Sequence, residues 1–437
     1  MLLGFSCKNF KTYREEAIFS LIPEQIREHS KSLLAVSLAG KIIKALPTSV
    51  IYGPNAAGKT NLIAGMDFLR CIVLSGNIQN IQNFNSTNPV VNNPWLAPNL
   101  QAENDPVEFC VEFVAQNLKI EYMIEIDIHR EKDSHSEGNN LSSQVISERL
   151  TIADKNIFVR KGEHLEFNIE SIQNFLINNW DKNTLDMARG NVQRTELFLC
   201  NGFKSYISQK ITEIILTWFR SKFRTFYGFH QIQSYPASMP NEKFMPLSRE
   251  LEGAVRNFGI NQNPIAFYRN NQLPVPLKIS FVKNEPIPSL LYESLGTLRF
   301  LDMFPLIIDA FRYGQTLVFD EFDASIHPSA VKSIINAFHN EEINTKRAQL
   351  IFNTHNPIFL DRKLFRRDEI KFVDRNDETG ESELYQLSDF RNEKGNSRKD
   401  PRVYLNNYFV HRYGAIREVD FTSSLRGLDK SEKDNAE

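Results

Sequence analysis

Apolar positions change their spacing twice along this chain, and each change marks a change of predicted structure. Residues 2–10 and 16–21 read as short strands, and 47–52 as a buried strand ending in Val50-Ile51-Tyr52. A helix-compatible run follows at 61–69. Residues 107–114 and 119–129 alternate apolar with polar side chains, as in Glu121-Tyr122-Met123-Ile124-Glu125-Ile126, the pattern of half-buried strands. A turn-rich segment at 133–143, with Gly138-Asn139-Asn140, joins them to further strands at 145–152 and 156–159. These segments predict an antiparallel lobe. From about 166 the period lengthens: Ile211, Ile215, Phe219 and Phe223 recur every four residues, and Leu251, Val255 and Phe258 keep helical spacing. Strand-like signal returns at 277–282, and from 290 helices and strands alternate as in a wound α/β core. The expected division is an α/β unit with its antiparallel lobe over 1–165, a helical insertion over 166–260, the second part of the α/β unit over 261–427, and a frayed charged tail at 428–437.

Length and composition narrow the classes. A chain of 437 residues exceeds the size at which single cores stop growing, so two structural units are expected. The polar stretch between Gly76 and Asp105 holds nine asparagines and is too long for an ordinary connection, which predicts a functional lid or a disordered loop. No repeat or sustained heptad is present, so no long coiled-coil arm is expected. No apolar run approaches the ~18 residues of a membrane span. The opening MLLGFSCKNF lacks the basic region, apolar core and cleavage site of a signal peptide, so a cytoplasmic protein without membrane contact is expected. Cys7, Cys71, Cys110 and Cys200 are scattered without a C-x-x-C pair, which points to a reducing compartment and away from disulfides or zinc. Fifty-one basic against 53 acidic residues leave no overall field that would announce nucleic acid.

The chemistry concentrates in three places. The octapeptide GPNAAGKT at 53–60 satisfies G-x-x-x-x-G-K-[ST], between a strand and a helix. Gly53 and Gly58 let the backbone curl so that N–H groups along Asn55, Ala56 and the start of the helix, including Asn61, face phosphate oxygens. Lys59 would reach the β- and γ-phosphates, and the Thr60 hydroxyl would ligate Mg²⁺. A chance match arises in roughly 1 % of chains this long, and the strand–loop–helix setting lowers that further, so a nucleoside triphosphate site is expected. Second, TLVFDEFD at 316–323 is an apolar run ending in paired acids, as a buried parallel strand does when it opens on a site. Asp320 is placed to hold Mg²⁺ through water and Glu321 to polarise an attacking water, because successive strand residues point opposite ways. Third, ESLGT at 293–297 opens a helix, where Ser294 and the free N–H groups around Gly296 and Thr297 form an anion site. Alone, Ser294 reads more simply as a helix N-cap. No [NT]-K-x-D guanine motif is present.

The order of these motifs resembles that of ABC-type ATPases, whose signature serine is presented to the ATP held by a second subunit. Asp323-Ala324-Ser325-Ile326-His327-Pro328 stands where their D-loop belongs, and Leu350-Ile351-Phe352-Asn353-Thr354-His355 ends in His355, where their switch histidine belongs. GPNAAGKTNL, ESLGTLRF, FDEFDASIHP and NTHNP, with the opening NFKTYREE, are similar to the ABC/SMC-type heads of the Rad50, RecF and old-lysogeny nuclease superfamily, and most of all to the bacterial AAA_15/AAA_21 ATPases. The tail resembles abortive-infection ATPases related to AbiL and RloA through Arg398-Lys399-Asp400, Tyr404-Leu405 and Arg412-Tyr413-Gly414-Ala415-Ile416, although Arg417 stands where that family usually has proline. The resemblance covers both flanks and not the helical insertion.

It implies an ABC-type head with an antiparallel lobe and an inserted helical domain. It implies slow hydrolysis of ATP with Mg²⁺ by an ATP-bridged homodimer or higher oligomer. Lys59, Glu321 and His355 would do the chemistry, with Ser294, Gly296, Thr297 and Asp323 contributed in trans. The role it implies is the sensor or scaffold of an anti-phage system such as PARIS, Septu or the AbiL pair, holding a separate effector: a Toprim or other nuclease, or a toxin. Only about 80 residues follow His355, and the closing strands and helix need them, so no nuclease domain is expected in this chain. The rival reading is a RecF-like repair clamp acting directly on DNA. A third is a structural protein that binds ATP without turnover, which the intact Glu321 argues against.

Other features stay secondary. Gln116, Gln144 and Glu148 are all candidates for a γ-phosphate-sensing Q-loop. WFRSKFRTFYGF at 218–229 interleaves aromatic and basic residues as a base-stacking surface does, yet its aromatics align with Ile211 and Ile215, which favours an amphipathic core helix. Arg362, Lys363, Arg366 and Arg367 read as a solvated basic face, and with the insertion they are the exposed candidates for partner contact.

Overall fold

The strand that feeds the glycine-rich loop, Thr48–Tyr52, is buried at all five positions, because it lies inside a six-stranded sheet covered on both faces. In the computed structural model, residues 1–26, 28–79, 97–130, 141–168, 170–177, 182–190, 192–227, 244–260, 263–269, 276–390, 403–417 and 421–422 are described. Strands Gln349–Asn353 and Ile370–Arg375 flank Thr48–Tyr52, both parallel to it. Thr316–Phe319 and then Phe223–Phe226 extend the parallel set on one side, and antiparallel Ser382–Gln386 closes the other. Successive residues serve opposite faces. Ile51, Val318, Ile351 and Val373 join the core under the helix Lys59–Ser75. Val50, Leu317, Leu350 and Phe352 join Val331, Ile335 and Phe338 of the helix Pro328–His339.

A second sheet of seven antiparallel strands runs His164–Phe167, Lys155–Lys161, Leu141–Ile152, Leu118–Arg130, Val107–Ala115, Leu2–Lys8, Ala17–Ser20. Val107, Phe109, Val111 and Phe113 are buried in strict alternation, as their sequence pattern predicts. The two sheets are stitched by Gln349, fully buried, whose amide donates to the carbonyls of Leu2 (2.9 Å) and Leu46 (3.0 Å) and accepts from Leu2 N–H and Thr316 Oγ1. The wound α/β core and the antiparallel lobe that the sequence pattern predicts are both present.

Between residues 192 and 260 the structure departs from the predicted helical pattern. The four-residue spacing of Ile211, Ile215, Phe219 and Phe223 predicts one helix, but the helix Gln209–Thr217 widens into a π-turn at Trp218–Lys222 and ends in the strand Phe223–Phe226, an edge of the parallel sheet. The aromatics are core residues, as the amphipathic reading held: Trp218 stacks on Phe113 at 3.9 Å and on Phe223 at 5.0 Å. Arg70 of the helix Lys59–Ser75 fixes the junction by donating to Phe219 O and Phe223 O, both at 3.1 Å. Farther on, only 277–282 read as strand, whereas Phe244–Pro246, Ile265–Tyr268, Leu277–Val282 and Glu285–Pro288 form a four-stranded antiparallel sheet. With the helix Arg249–Asn257 it packs on the helix Leu295–Tyr313 through Leu251, Val255, Ile265, Phe300 and Leu301.

The expected lid falls largely on 80–96, the turn-rich segment on 131–140, and both Arg398-Lys399-Asp400 and the tail at 428–437 lie outside the described residues. Among the described residues no helix is long and apolar enough to cross a membrane.

Candidate functional site

The glycine-rich loop is held in a shape that only its own sequence tolerates. Gly53 has φ +156°, and a Cβ there would lie 2.1 Å from Val373 O; Gly58 has φ +113°, and its Cβ would lie 2.5 Å from Ser382 Oγ. Side chains brace the loop from outside. Ser382 Oγ donates to Ala57 O (2.5 Å), Tyr13 Oη to Gly58 O (3.0 Å) and Arg375 Nη1 to Ala56 O (3.3 Å), while Asn61 Nδ2 donates to Thr12 Oγ1 (3.1 Å). Asn55 and Ala56 stay exposed at the apex. Lys59 is only 5 % exposed and folds back on the loop, donating to Gly53 O and Pro54 O at 2.8 Å each. Burial pushes its pKa down to about 8, against the pull of Asp320 and Glu321.

The strand ends deliver the acids to the same place. Thr60 Oγ1 donates to Asp320 Oδ1 (3.1 Å) and Oδ2 (3.3 Å), and Asn353 Nδ2 donates to Asp320 Oδ1. Burial raises the Asp320 pKa, opposed by those two hydrogen bonds. Glu321 is exposed and left-handed at φ +53°, a conformation that costs a non-glycine residue roughly 1–2 kcal/mol. Both polar groups of its backbone are held: its N–H donates to Asn353 Oδ1, and its carbonyl accepts from Arg299 Nη2. Strain of this kind persists where surrounding structure over-determines it. His355 follows two residues after the strand Gln349–Asn353. Partial burial and then Lys59 push its imidazole below the usual range, against the nearby carboxylates. Asp323 is half-buried, with its pKa raised by burial and opposed by a hydrogen bond from Thr354.

A hydroxyl and a carboxylate already within hydrogen-bonding distance make a hard-oxygen donor pair, which fits Mg²⁺ completed by water and phosphate oxygens. Among the described residues no group of three or more His, Cys, Asp or Glu could form an all-protein metal cage.

Ser294, Gly296 and Thr297 sit elsewhere. Ser294 caps the helix Leu295–Tyr313, its Oγ accepting from Thr297 N (3.1 Å) and meeting Thr297 Oγ1 at 3.0 Å. Ser294 is exposed, and a Cβ on Gly296 would lie 2.4 Å from Ser325 O, so this turn presses on the segment after Glu321 and not on the 53–60 loop. The structure thus gathers Lys59, Thr60, Asp320, Glu321 and His355 in one place, while Ser294 and Gly296 open the helix that packs on the segment after Glu321.

Several functional neighbours escape sequence reasoning. Arg299 looks like an ordinary helical arginine, and Asn353 like the last residue of a strand. The Q-loop candidates are placed away from the acids: Gln116 lies in the left-handed turn of a hairpin, Gln144 donates to Asp127 (3.3 Å), and Glu148 is fully buried beneath Phe198 N (2.6 Å) and Leu199 N (2.8 Å). The strand that ends beside the acids is Phe223–Phe226, with Asp320 N–H donating to Phe226 O at 2.9 Å. The basic cluster is a solvated face only in part: Lys363 is exposed, whereas Arg366 and Arg367 turn inward. Arg366 is fully buried, paired with Asp368 at 2.9 and 2.7 Å and donating to the carbonyls of Glu24, Ile26 and Glu28, and Arg367 donates to Leu387 O and Phe390 O. A fully satisfied guanidinium such as that of Arg366, with Arg367 turned to two carbonyls beside it, holds loops together, which removes this pair as an exposed partner site.

A family model, AAA_21, described as "AAA domain, putative AbiEii toxin, Type IV TA system", matches residues 49–191 and 241–361. No curated protein shows a significant match. Among solved structures the chain is similar to "SMC head domain from Thermotoga maritima" at 11% identity, covering 88% of this chain and 98% of that one with a TM-score of 0.36. It is also similar to "Crystal structure of the SmcHead bound to the C-winged helix domain of ScpA" at 12% identity, covering 88% and 97% with a TM-score of 0.37. Likenesses this loose add nothing to the strand order described above.

Proposed function

Since the chain belongs to the AAA_21 family of AAA-type ATPase domains, we propose that it hydrolyses ATP at a composite site completed by a second copy of itself. The observation that carries this is the meeting of Thr60 with Asp320 at the carboxyl end of the parallel sheet, with Lys59 and Glu321 beside them. The backbone of Gly53, Asn55, Ala56, Gly58 and Asn61 cradles the phosphates, and Lys59 turns from its own carbonyls to the β- and γ-phosphoryl oxygens. Thr60 and Asp320 would hold Mg²⁺, which when bound neutralises charge developing on those oxygens. Glu321 orients the attacking water and takes up its proton, and His355 hydrogen-bonds the γ-phosphoryl group. Ser294, Gly296, Thr297 and Asp323 of the second copy close the site, so hydrolysis waits for assembly.

Lys59→Ala should abolish nucleotide binding. Glu321→Gln should bind Mg·ATP and accumulate as the dimer with hydrolysis lost, and Ser294→Arg should bind normally yet not hydrolyse. Equal loss of binding in Lys59→Ala and Ser294→Arg would sink the two-copy site.

The wider role we favour is the sensor or scaffold ATPase of an abortive-infection system, holding a separate nuclease or toxin. The toxin connection in the family's description supports it. In this reading 1–165 and 261–427 form the head together with the strand Phe223–Phe226, which the segment 166–260 lends to the parallel sheet, and the rest of that segment meets the effector. Titrating the same preparation with duplex DNA separates the repair-clamp alternative, which requires ATP-gated binding that weakens steeply with salt.

A further inference from the structure

Two residues of the 320–325 segment have left-handed backbones, Glu321 at φ +53° and Ser325 at φ +64°, and one helix touches both. Gly296 and Arg299 stand three apart on the helix Leu295–Tyr313 and therefore share a face. Gly296 abuts Ser325 O, and Arg299 donates from Nη2 to Glu321 O. Arg299 is 6 % exposed, between Leu298, Phe300 and Leu301, which are buried. A buried guanidinium is costly unless compensated, and a methionine or leucine would pack such a seam without that cost. The compensation for Arg299 lies at the acids: the Glu321 carbonyl, with the carboxylates of Glu321, Asp323, Asp320 and Asp302 around it. The same helix is mounted on the four-stranded sheet through Lys278 Nζ to Asp302 Oδ1 (2.7 Å), and the residue before its cap through Ser280 Oγ to Glu293 Oε1 (2.8 Å).

We propose that Arg299 is the positioning residue through which this helix sets the direction of the Glu321 carboxylate. It grips the Glu321 peptide from one side while Asn353 grips it from the other. A shift of the helix, whether imposed at its exposed N-terminus by a second copy or through the four-stranded sheet, moves Arg299 and so turns Glu321 toward or away from the attacking water. The Arg299 side chain itself touches no reacting atom. This rests on the ATPase reading above.

The test uses the full chain with Mg·ATP. Arg299→Ala should lower kcat on the order of 10- to 100-fold while KM and the Kd of a fluorescent ATP analogue stay within about two-fold. Arg299→Lys should recover part of the loss. In single-turnover measurements on the Glu321→Gln background, adding Arg299→Ala should change the residual rate by less than about two-fold, because both substitutions remove the same action. Should Arg299→Ala not fold, Arg299→Met keeps the volume without the charge and carries the same comparison. An unchanged kcat, a parallel loss of nucleotide affinity, or a fully additive loss on the Glu321→Gln background overturns the positioning role. Absence of Mg·ATP hydrolysis by the unaltered chain would instead overturn the ATPase reading, so the two failures are distinguishable.

Discussion

The two halves of the proposed site are built on opposite principles. The 53–60 loop is complete within one chain: its glycines press on backbone and side chain, its lysine is 5 % exposed, and Tyr13, Ser382 and Arg375 brace its carbonyls. The surface around Ser294 is open. Leu291 is 77 % exposed, Leu295 59 % and Tyr292 49 %, and the turn is held from within by its cap, by Ser280 on Glu293 and by what Gly296 and Arg299 touch beneath it. A cradle for phosphate must exist before ligand arrives, since disordered N–H groups would have to be ordered at the ligand's expense. A surface that completes another copy's site has no such need until the copies meet. The first half should therefore fail by losing binding, and the second by losing turnover alone.

The sharpest way to break this contrast is Gly53→Ala. The added Cβ would sit 2.1 Å from a backbone oxygen at φ +156°, so neither rotamer change nor side-chain movement relieves it. We expect nucleotide affinity to fall by more than about 100-fold and stability by about 3 kcal/mol, read by titration and by urea denaturation. Near-normal binding would show that the loop yields and is not preset. Gly296→Ala is the matched change on the other half. Its Cβ would sit 2.4 Å from Ser325 O with no unfavourable φ, so the helix or the acidic segment must move apart. Here nucleotide affinity should hold within about two-fold while kcat falls about ten- to thirty-fold. A loss of affinity equal to that of Gly53→Ala would erase the distinction between the halves.

What the sequence discloses follows the same division. The loop is legible because its geometry demands glycine at fixed places, and the strand Thr316–Phe319 because a doubly covered parallel strand is apolar throughout and stops at its acids. Arg299 is illegible because its meaning lies in Glu321, 22 residues away and on another element. Arg366 misleads for the reverse reason: beside Arg362, Lys363 and Arg367 it looks solvated, yet Asp368 and three carbonyls from the 24–28 segment draw it inside. The strand Phe223–Phe226 hides behind a helical period, because the π-turn at Trp218–Lys222 keeps Phe219 and Phe223 inward while the backbone changes type. Local patterns record how a residue meets its own element. They do not record which distant element claims it.

The smallest expected effect tests whether the loop lysine is preset as the geometry implies. In the free chain Lys59 is turned onto Gly53 O and Pro54 O, and burial lowers its pKa from 10.5 to about 8. Its folded pKa lies below its unfolded one, so the penalty on folding is present in full below about pH 8 and disappears as the pH rises toward 10.5. Bound phosphates favour the charged amine and raise its pKa, so above about pH 8 the chain must take up a proton to bind. Affinity and this group's contribution to stability therefore move in opposite directions over the same window. Mg·ATP affinity should be nearly level from pH 6.5 to 7.5, then fall to about a tenth of that value by pH 9. Ser294→Arg should reproduce this profile, because Lys59 lies wholly within the other half. A flat affinity through pH 9 would mean that Lys59 remains charged in the free loop, and that burial of the lysine is not what readies the cradle for phosphate.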